Sequence, residues 1–296
     1  MRILFFLSAA ILAACSPASG QTPQDKPRDL TGGNQILDAE VMSFNIRFAS
    51  EDGSPHDWSK RKGDLLQLIL DHPSDFIGLQ EAVPVQVEFL DENLPEYGYT
   101  SRSREASPDE GEAVPIFYNR EKWNMAEDGH FWLSDTPEVP GSNTWGNAWI
   151  RMATWGLFVN RHHNDTILVM NTHLDNVSQY SRERSIDLML ERIGEKANGY
   201  PVILLGDMNV MEDNIVVEKI LDAGFSDTFR EIHPEPLDVE NTFHGWRDNV
   251  SDDYRIDYIF SRGHESTIDS YIVRDHEGEI YPSDHFAVFS HIVLRN

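Results

Sequence analysis

From residue 36 onward the apolar residues follow two periods, and the chain switches between them many times. Val41-Met42-Ser43-Phe44-Asn45-Ile46 alternates and is rich in β-formers, which predicts a strand. Residues 76–79, 114–118, 131–133, 154–159, 166–172, 202–205, 256–260, 267–273 and 286–293 read as further strands. The segment 202–205 is apolar throughout, as expected of a strand buried on both faces. Ile186, Met189, Leu190, Ile193 and Ala197 recur at i, i+3, i+4, i+7 and i+11, one face of a helix over 179–197. Helices are also predicted over 58–70, where Leu65, Leu66, Ile69 and Leu70 gather on one side, and over 85–94. Strands outnumber helices, and helices separate only some of them. The pattern predicts an α/β fold of two packed sheets with outer helices instead of a doubly wound parallel sheet. No repeat, low-complexity run or second linker interrupts 36–296, so one domain is expected there.

The first 35 residues break this pattern. Arg2 precedes an unbroken run of apolar or small residues over 3–14. That run is too short to span a bilayer core of about 30 Å and fits a signal peptide over 1–14. Leu12-Ala13-Ala14-Cys15 resembles the bacterial lipobox, in which small residues admit the signal peptidase and the cysteine thiol takes a diacylglycerol. Cys15 is the only cysteine, so it is the expected lipid anchor, and no disulfide within the chain is possible. Residues 15–35, rich in Pro, Gly and Ser, would form a flexible tether. The expectation is a protein of a bacterial cell envelope, facing the periplasm or the outer surface, that touches the membrane through its lipid alone.

Charge narrows the range of partners. Lys+Arg number 24 against 50 Asp+Glu, a net charge of −26, while 40% hydrophobic residues supply a large core. Gripping nucleic-acid backbones needs a surplus of Lys and Arg, so long duplex nucleic acid is disfavoured as a partner.

The candidate chemistry lies where polar residues interrupt the strand pattern. Asn45, Glu81, His173 with Asp175, Asp207 with Asn209, Asp257, and Asp284-His285 all stand at or just past the ends of apolar strands. Strand ends on one edge of a sheet converge in space, so such residues can line one cleft. Gly206-Asp207-Met208-Asn209 places an acid and an amide two apart after a tight turn, and Asp257 puts a charge in an otherwise apolar strand. Each also has a structural reading, as a cap, a turn or an ion pair.

In their order these motifs resemble the endonuclease/exonuclease/phosphatase superfamily. The matching pieces are Ser43-Phe44-Asn45-Ile46, Gly78-Leu79-Gln80-Glu81, Glu112 with Ile116-Phe117-Tyr118, Asn171-Thr172-His173, Gly206-Asp207-Met208-Asn209, Arg255-Ile256-Asp257-Tyr258 and Ser283-Asp284-His285. The resemblance implies a four-layer α/β sandwich, two packed mixed sheets flanked by helices, and a divalent metal, Mg²⁺ or Mn²⁺. It implies Glu81 as metal ligand with Asn45 beside it, and Asp284 near the metal. Asp207 would orient or deprotonate the attacking water, and Asn209 would hold Asp207 or a phosphate oxygen. His285 and His173 would contact the scissile phosphate from opposite sides, oriented by Asp257 and Glu112 respectively. The implied reaction is metal-assisted attack of water on a phosphomono- or phosphodiester, a nucleotide or another small phosphoester. Hard oxygen ligands suit Mg²⁺, and no Cys/His spacing for zinc is present.

Two departures bear on the branch. Ile46-Arg47 follows Asn45 where abasic-site endonucleases carry an acid nearby, and Thr172-His173 stands where they carry a tyrosine. The segment 131–155, with Trp132, Trp145, Trp149, Arg151 and Trp155, looks like a secreted, nocturnin-like bacterial branch. Its tryptophans would stack a base or sugar, or else pack the core. Arg151 would neutralise a substrate phosphate or form a structural ion pair. A phospholipase C-like diesterase and a non-catalytic surface lipoprotein are the alternatives. The first lacks an extra hydrophobic hairpin for membrane insertion, and the second predicts missing site residues.

Overall fold

The strand pattern closes into two sheets. The computed structural model describes residues 37–247, 255–276 and 280–294. The expected signal peptide, Cys15 and the tether lie outside the described residues. The elements run β1 (Leu37–Asn45), α1 (Trp58–Asp71), β2 (Phe76–Gln80), α2 (Pro84–Asn93), β3 (Tyr97–Thr100), β4 (Ile116–Asn119), β5 (Trp123–Trp132), β6 (Met152–Asn160), β7 (Thr166–His173), α3 (Gln179–Ala197), β8 (Val202–Asp207), α4 (Ile215–Asp222), β9 (Ser226–Asp227), α5 (Thr228–Ile232), β10 (Asp257–Arg262), β11 (His264–Val273) and β12 (Ala287–Leu294). One six-stranded sheet has the order β11-β12-β1-β2-β4-β3 and the other β5-β6-β7-β8-β10-β9. Each is mixed: β1 and β2 run parallel in the first, and β7 and β8 in the second. Among the described residues no helix is long and apolar enough to cross a membrane.

Three apolar layers explain the stacking. Successive strand residues point to opposite faces, so each central strand feeds two cores. Val41, Phe76, Phe158, Val169, Leu205 and Ile259 meet between the sheets. Met42, Phe44, Leu65, Ile69 and Leu90 join the first sheet to α1 and α2. Leu168, Met170, Leu204, Ile186, Met189 and Ile193 join the second to α3. The result is a four-layer α/β sandwich. Between the sheets Gly78 leaves no room for a Cβ, which would stand 1.9 Å from Leu205 Cδ1.

The expected strand 131–133 is the end of a longer β5, and β3, β9, α4 and α5 are additions to the sequence reading. β5, β11, β3 and β9 are the sheet edges. An edge strand is solvated on one side and carries charges that blur its alternation. Residues 124–130 of β5, with Glu127 and Asp128 exposed, show this directly.

Candidate active site

The polar residues at strand ends share one face. Asn45, His173, Asp207 and Asp257 have the same parity along their strands as Val41, Val169, Leu205 and Ile259, so they point between the sheets, past the end of the apolar layer. Register brings them together. His173 pairs across the ladder with Asp207, and Asp207 with Asp257, making one row over β7, β8 and β10. In the other sheet Asn45 pairs with Gln80, one residue before Glu81. Beneath this row Asn171 stitches the sheets together. Its Nδ2 donates to Leu79 O and Pro115 O, both at 2.8 Å, and its Oδ1 accepts from Gln80 Nε2 at 2.8 Å.

Backbone conformation at the rim re-aims the chain. Arg47, Glu81 and Asn209 have φ of 51°, 61° and 51°, left-handed values that cost Arg47 and Glu81 about 1–2 kcal/mol each and that asparagine adopts more readily. All three lie just past strand ends and border the cleft, where such strain is retained when it positions function. Gly206, φ 146°, permits the β7–β8 contact immediately before Asp207, since a Cβ there would lie 2.1 Å from Thr172 O.

The resulting cleft has a volume of about 890 Å³, and Glu81, His173, Asp207, Asn209, Asp284 and His285 line it together. Asp207 is the hub. Its Oδ2 accepts from Asn45 Nδ2 at 3.0 Å and lies 3.3 Å from His173 Nε2 and 3.9 Å from His285 Nε2. Its Oδ1 accepts from the Asn209 backbone N–H at 2.9 Å. His285 Nδ1 lies 2.9 Å from Asp257 Oδ2, a buried hydrogen bond, and Phe243 packs on the ring with centroids 4.9 Å apart. Burial opposes charge on His285, but Asp257, Asp207 and Asp284 outweigh it and raise its pKa to about 10. Burial, and then the positive charge of Arg151, Arg104 and His285, hold His173 well below the usual histidine range, so it is neutral. Burial and repulsion from Asp257 raise Asp207 to about 7, against the pull of His285, Asn45 and the Asn209 N–H.

Two acid sets bear on a divalent cation. Asp207, Asp257 and His285 offer ligand atoms within 4.8 Å of one another. Within that set, however, His285 Nδ1 is already engaged by Asp257, and a protonated imidazole has no lone pair for a metal. The second set is Glu81 and Asp284, with Asn45. Arg47 reaches between the two acids, 3.5 Å from Glu81 Oε2 and 3.9 Å from Asp284 Oδ2. A guanidinium thus stands in where positive charge is wanted, and an all-oxygen set fits Mg²⁺ or Mn²⁺. Asn45 uses its Oδ1 to accept from the Arg47 N–H at 3.1 Å and its Nδ2 to donate to Glu81 Oε1 at 3.3 Å as well as to Asp207, so its amide links Glu81 to Asp207.

One expected contact differs, and two others are specified further. Glu112 does not orient His173: Arg104 takes both its oxygens, at 2.6 and 2.9 Å, because a guanidinium fork matches a carboxylate better than an imidazole does. Asn209 holds Asp207 through its backbone, while its Nδ2 donates to Leu174 O at 3.0 Å. The tryptophans divide: Trp132, Trp145 and Trp155 are buried, whereas Trp149 is 56% exposed and lines the cleft. Arg151 is buried in the cleft wall with Asp175 Oδ1 3.8 Å from its Nε.

Arg47, Arg104, Phe243 and Arg61 escaped the sequence reading. Arg61 had a signal, a cation on the buried stripe of α1 with Trp58, Leu65 and Leu68. Its five N–H groups meet five carbonyls: His56 at 3.1 Å, Ile46 at 2.7 Å, Pro282 at 2.8 Å, Arg47 at 2.7 Å and Phe48 at 3.2 Å. It therefore ties the segment after Asn45 to the segment before Asp284-His285.

Comparison with known proteins agrees with this geometry. The model of the Endonuclease/Exonuclease/phosphatase family matches residues 42–285. An endonuclease/exonuclease/phosphatase from Bacteroides vulgatus superposes with a TM-score of 0.81 at 28% identity, covering 87% of this chain and 99% of that one. The Bacteroides thetaiotaomicron mannosyl-6-phosphatase Bt3783 superposes with a TM-score of 0.79 at 30% identity, covering 86% and 99%. Protein L388 of Acanthamoeba polyphaga mimivirus is 28% identical over 264 residues, 80% of this chain and 97% of that protein.

Proposed function

This chain belongs to the endonuclease/exonuclease/phosphatase family, and from that premise we propose that it is a divalent-metal-dependent phosphoesterase that hydrolyses a small phosphoester by direct attack of water. The observation that carries the reading is Asp207, held by Asn45 and Asn209 between His173 and His285 in one cleft with Glu81. A similar protein named as a mannosyl-6-phosphatase supports a phosphomonoester as substrate.

Asp207, with a pKa of about 7, is matched to take a proton from water near neutral pH. Asn45 and the Asn209 N–H fix which oxygen does so. Protonated His285, its Nδ1 held by Asp257, presents Nε2 to a phosphoryl oxygen as a charge-assisted donor. Neutral His173 faces the same centre from β7, and Arg151 adds positive charge in the cleft wall. Glu81, linked to the centre through Asn45, and Asp284 would hold Mg²⁺ or Mn²⁺. A cation bound there would supply charge neutralisation on the phosphoryl oxygens.

Phosphate release from a panel of small phosphoesters with Mg²⁺ or Mn²⁺ tests the reading. EDTA-sensitive turnover is expected, and none across the panel overturns it. We further propose the Cys15 lipid anchor and a cell-envelope location, supported by the Leu12-Ala13-Ala14-Cys15 motif. Radioactive fatty acid should label the native chain and not Cys15→Ala.

A further inference from the structure

We propose that the side of the cleft bounded by Trp149, Arg151, Arg104 and Glu112 is a leaving-group subsite for a hydroxylated ring, which makes a sugar phosphate the substrate class; this rests on the phosphoesterase reading above.

The first observation is a buried cation whose Nε lacks a hydrogen-bond acceptor among the described residues. That cation is Arg151, only 4% exposed. The Asp175 carboxylate is 3.8 Å away, beyond hydrogen-bond reach. A buried donor left unpaired is costly, so an acceptor arriving from outside relieves it. Arg104 and Glu112 satisfy each other as a bidentate pair, and the Arg104 Nε also lacks a hydrogen-bond acceptor.

The second observation is size. Glu81, Arg104, Glu112, Arg151 and His173 border a recess of about 10 Å³, closed on its remaining sides by four apolar residues. Space on that scale admits one oxygen-sized group and no phosphate. A hydroxyl suits both walls, because it accepts from Arg151 while donating to Glu112. A phosphate oxygen only accepts, and the Glu112 carboxylate repels it.

The third is Trp149. Its side chain is exposed, yet its backbone is pinned. Asp175 Oδ1 accepts from the Ala148 and Trp149 N–H groups at 3.1 and 3.4 Å, and Asn147 Nδ2 donates to Trp149 O at 3.2 Å. Asp175 itself is fully buried and also accepts from Val177 and Ser178 N–H. An indole on a pinned backbone at a cleft rim stands outside the apolar core. It offers a flat face to the C–H side of a ring whose hydroxyls reach the Arg151–Glu112 recess. The Arg104 guanidinium carbon, 5.9 Å from the Trp149 ring centroid, borders the same face.

The test is calorimetric titration of the purified full-length chain in EDTA, so that nothing is hydrolysed. Glucose 6-phosphate, mannose 6-phosphate and glycerol 3-phosphate are the probes. At least one hexose phosphate should bind about tenfold more tightly than the acyclic ester, the scale of one stacked ring. Trp149→Ala should erase that margin, Trp149→Phe should restore much of it, and Arg151→Lys should reduce it. Equal affinities for all three esters, or a margin that survives Trp149→Ala, overturn the subsite. Circular dichroism checks that each variant is folded. Turnover of glycerol 3-phosphate with Mg²⁺, measured separately, reads the phosphoesterase activity itself. A phosphoesterase without the hexose margin therefore sinks only the subsite.

Discussion

Asp257 and His285 form a buried hydrogen bond of 2.9 Å between Oδ2 and Nδ1, which directs the opposite imidazole nitrogen at Asp207. An asparagine at 257 keeps the shape and removes the charge that holds His285 protonated. Asp257→Asn is expected to lower kcat by about 10²–10⁴, the range seen when an orienting carboxylate is neutralised. Steady-state kinetics on an active ester, with circular dichroism as a fold control, checks it.

Asp207 carries the proton-accepting role in the proposed reaction. Asp207→Asn keeps the size of the side chain and removes the base. Its kcat should fall by about 10²–10⁴ with little change in thermal stability. An unchanged rate removes Asp207 from the mechanism.

Arg61 saturates five carbonyls from inside the fold and touches no substrate-facing surface. Arg61→Lys retains the charge but offers three donors, leaving buried carbonyls unpaired at about 1–3 kcal/mol apiece. The urea midpoint should drop, and the Mg²⁺ concentration for half-maximal activity should rise, because the segments carrying Asn45 and Asp284 lose their common tie. A drop in stability with unchanged Mg²⁺ dependence would confine Arg61 to folding.

His244 is 1% exposed, packed against Tyr281 and Phe286, and its pKa is lowered to about 4, chiefly by burial and then by the charge of His285. The unfolded chain takes up this proton near pH 6.5 and the folded protein only near 4, so stability is full above pH 6.5 and falls as pH drops toward 4. The loss is of the order of 3 kcal/mol at most. His244→Phe should flatten denaturation midpoints between pH 7.5 and 5, relative to the unsubstituted chain.

The elements that were legible are those with both faces buried or one clean stripe. The strand at 202–205 has no polar residue, and α3 has its apolar positions in register, so period and composition agree. The edges were poorly legible. β5 shows its edge character in Glu127 and Asp128, and β9 is two residues long. Their pairing is decided by the neighbouring strand, not by their own alternation.

The candidate site divides along the same line. Asn45, Glu81, His173, Asp207, Asp257 and His285 stood out because each interrupts a period, and period is a local property of the chain. Arg104 as the partner of Glu112, and Arg47 between Glu81 and Asp284, had no such mark. Contacts of that kind depend on which of several nearby carboxylates a long cation can reach.

By itself, then, the order of apolar and polar residues determined two sheets, their covering helices and a row of polar strand ends, since burial imposes its period on every residue. The tertiary structure alone decided which acid meets which base and which tryptophan stays exposed. Those outcomes turn on distances of a few ångströms between segments far apart in sequence, and no local pattern encodes them.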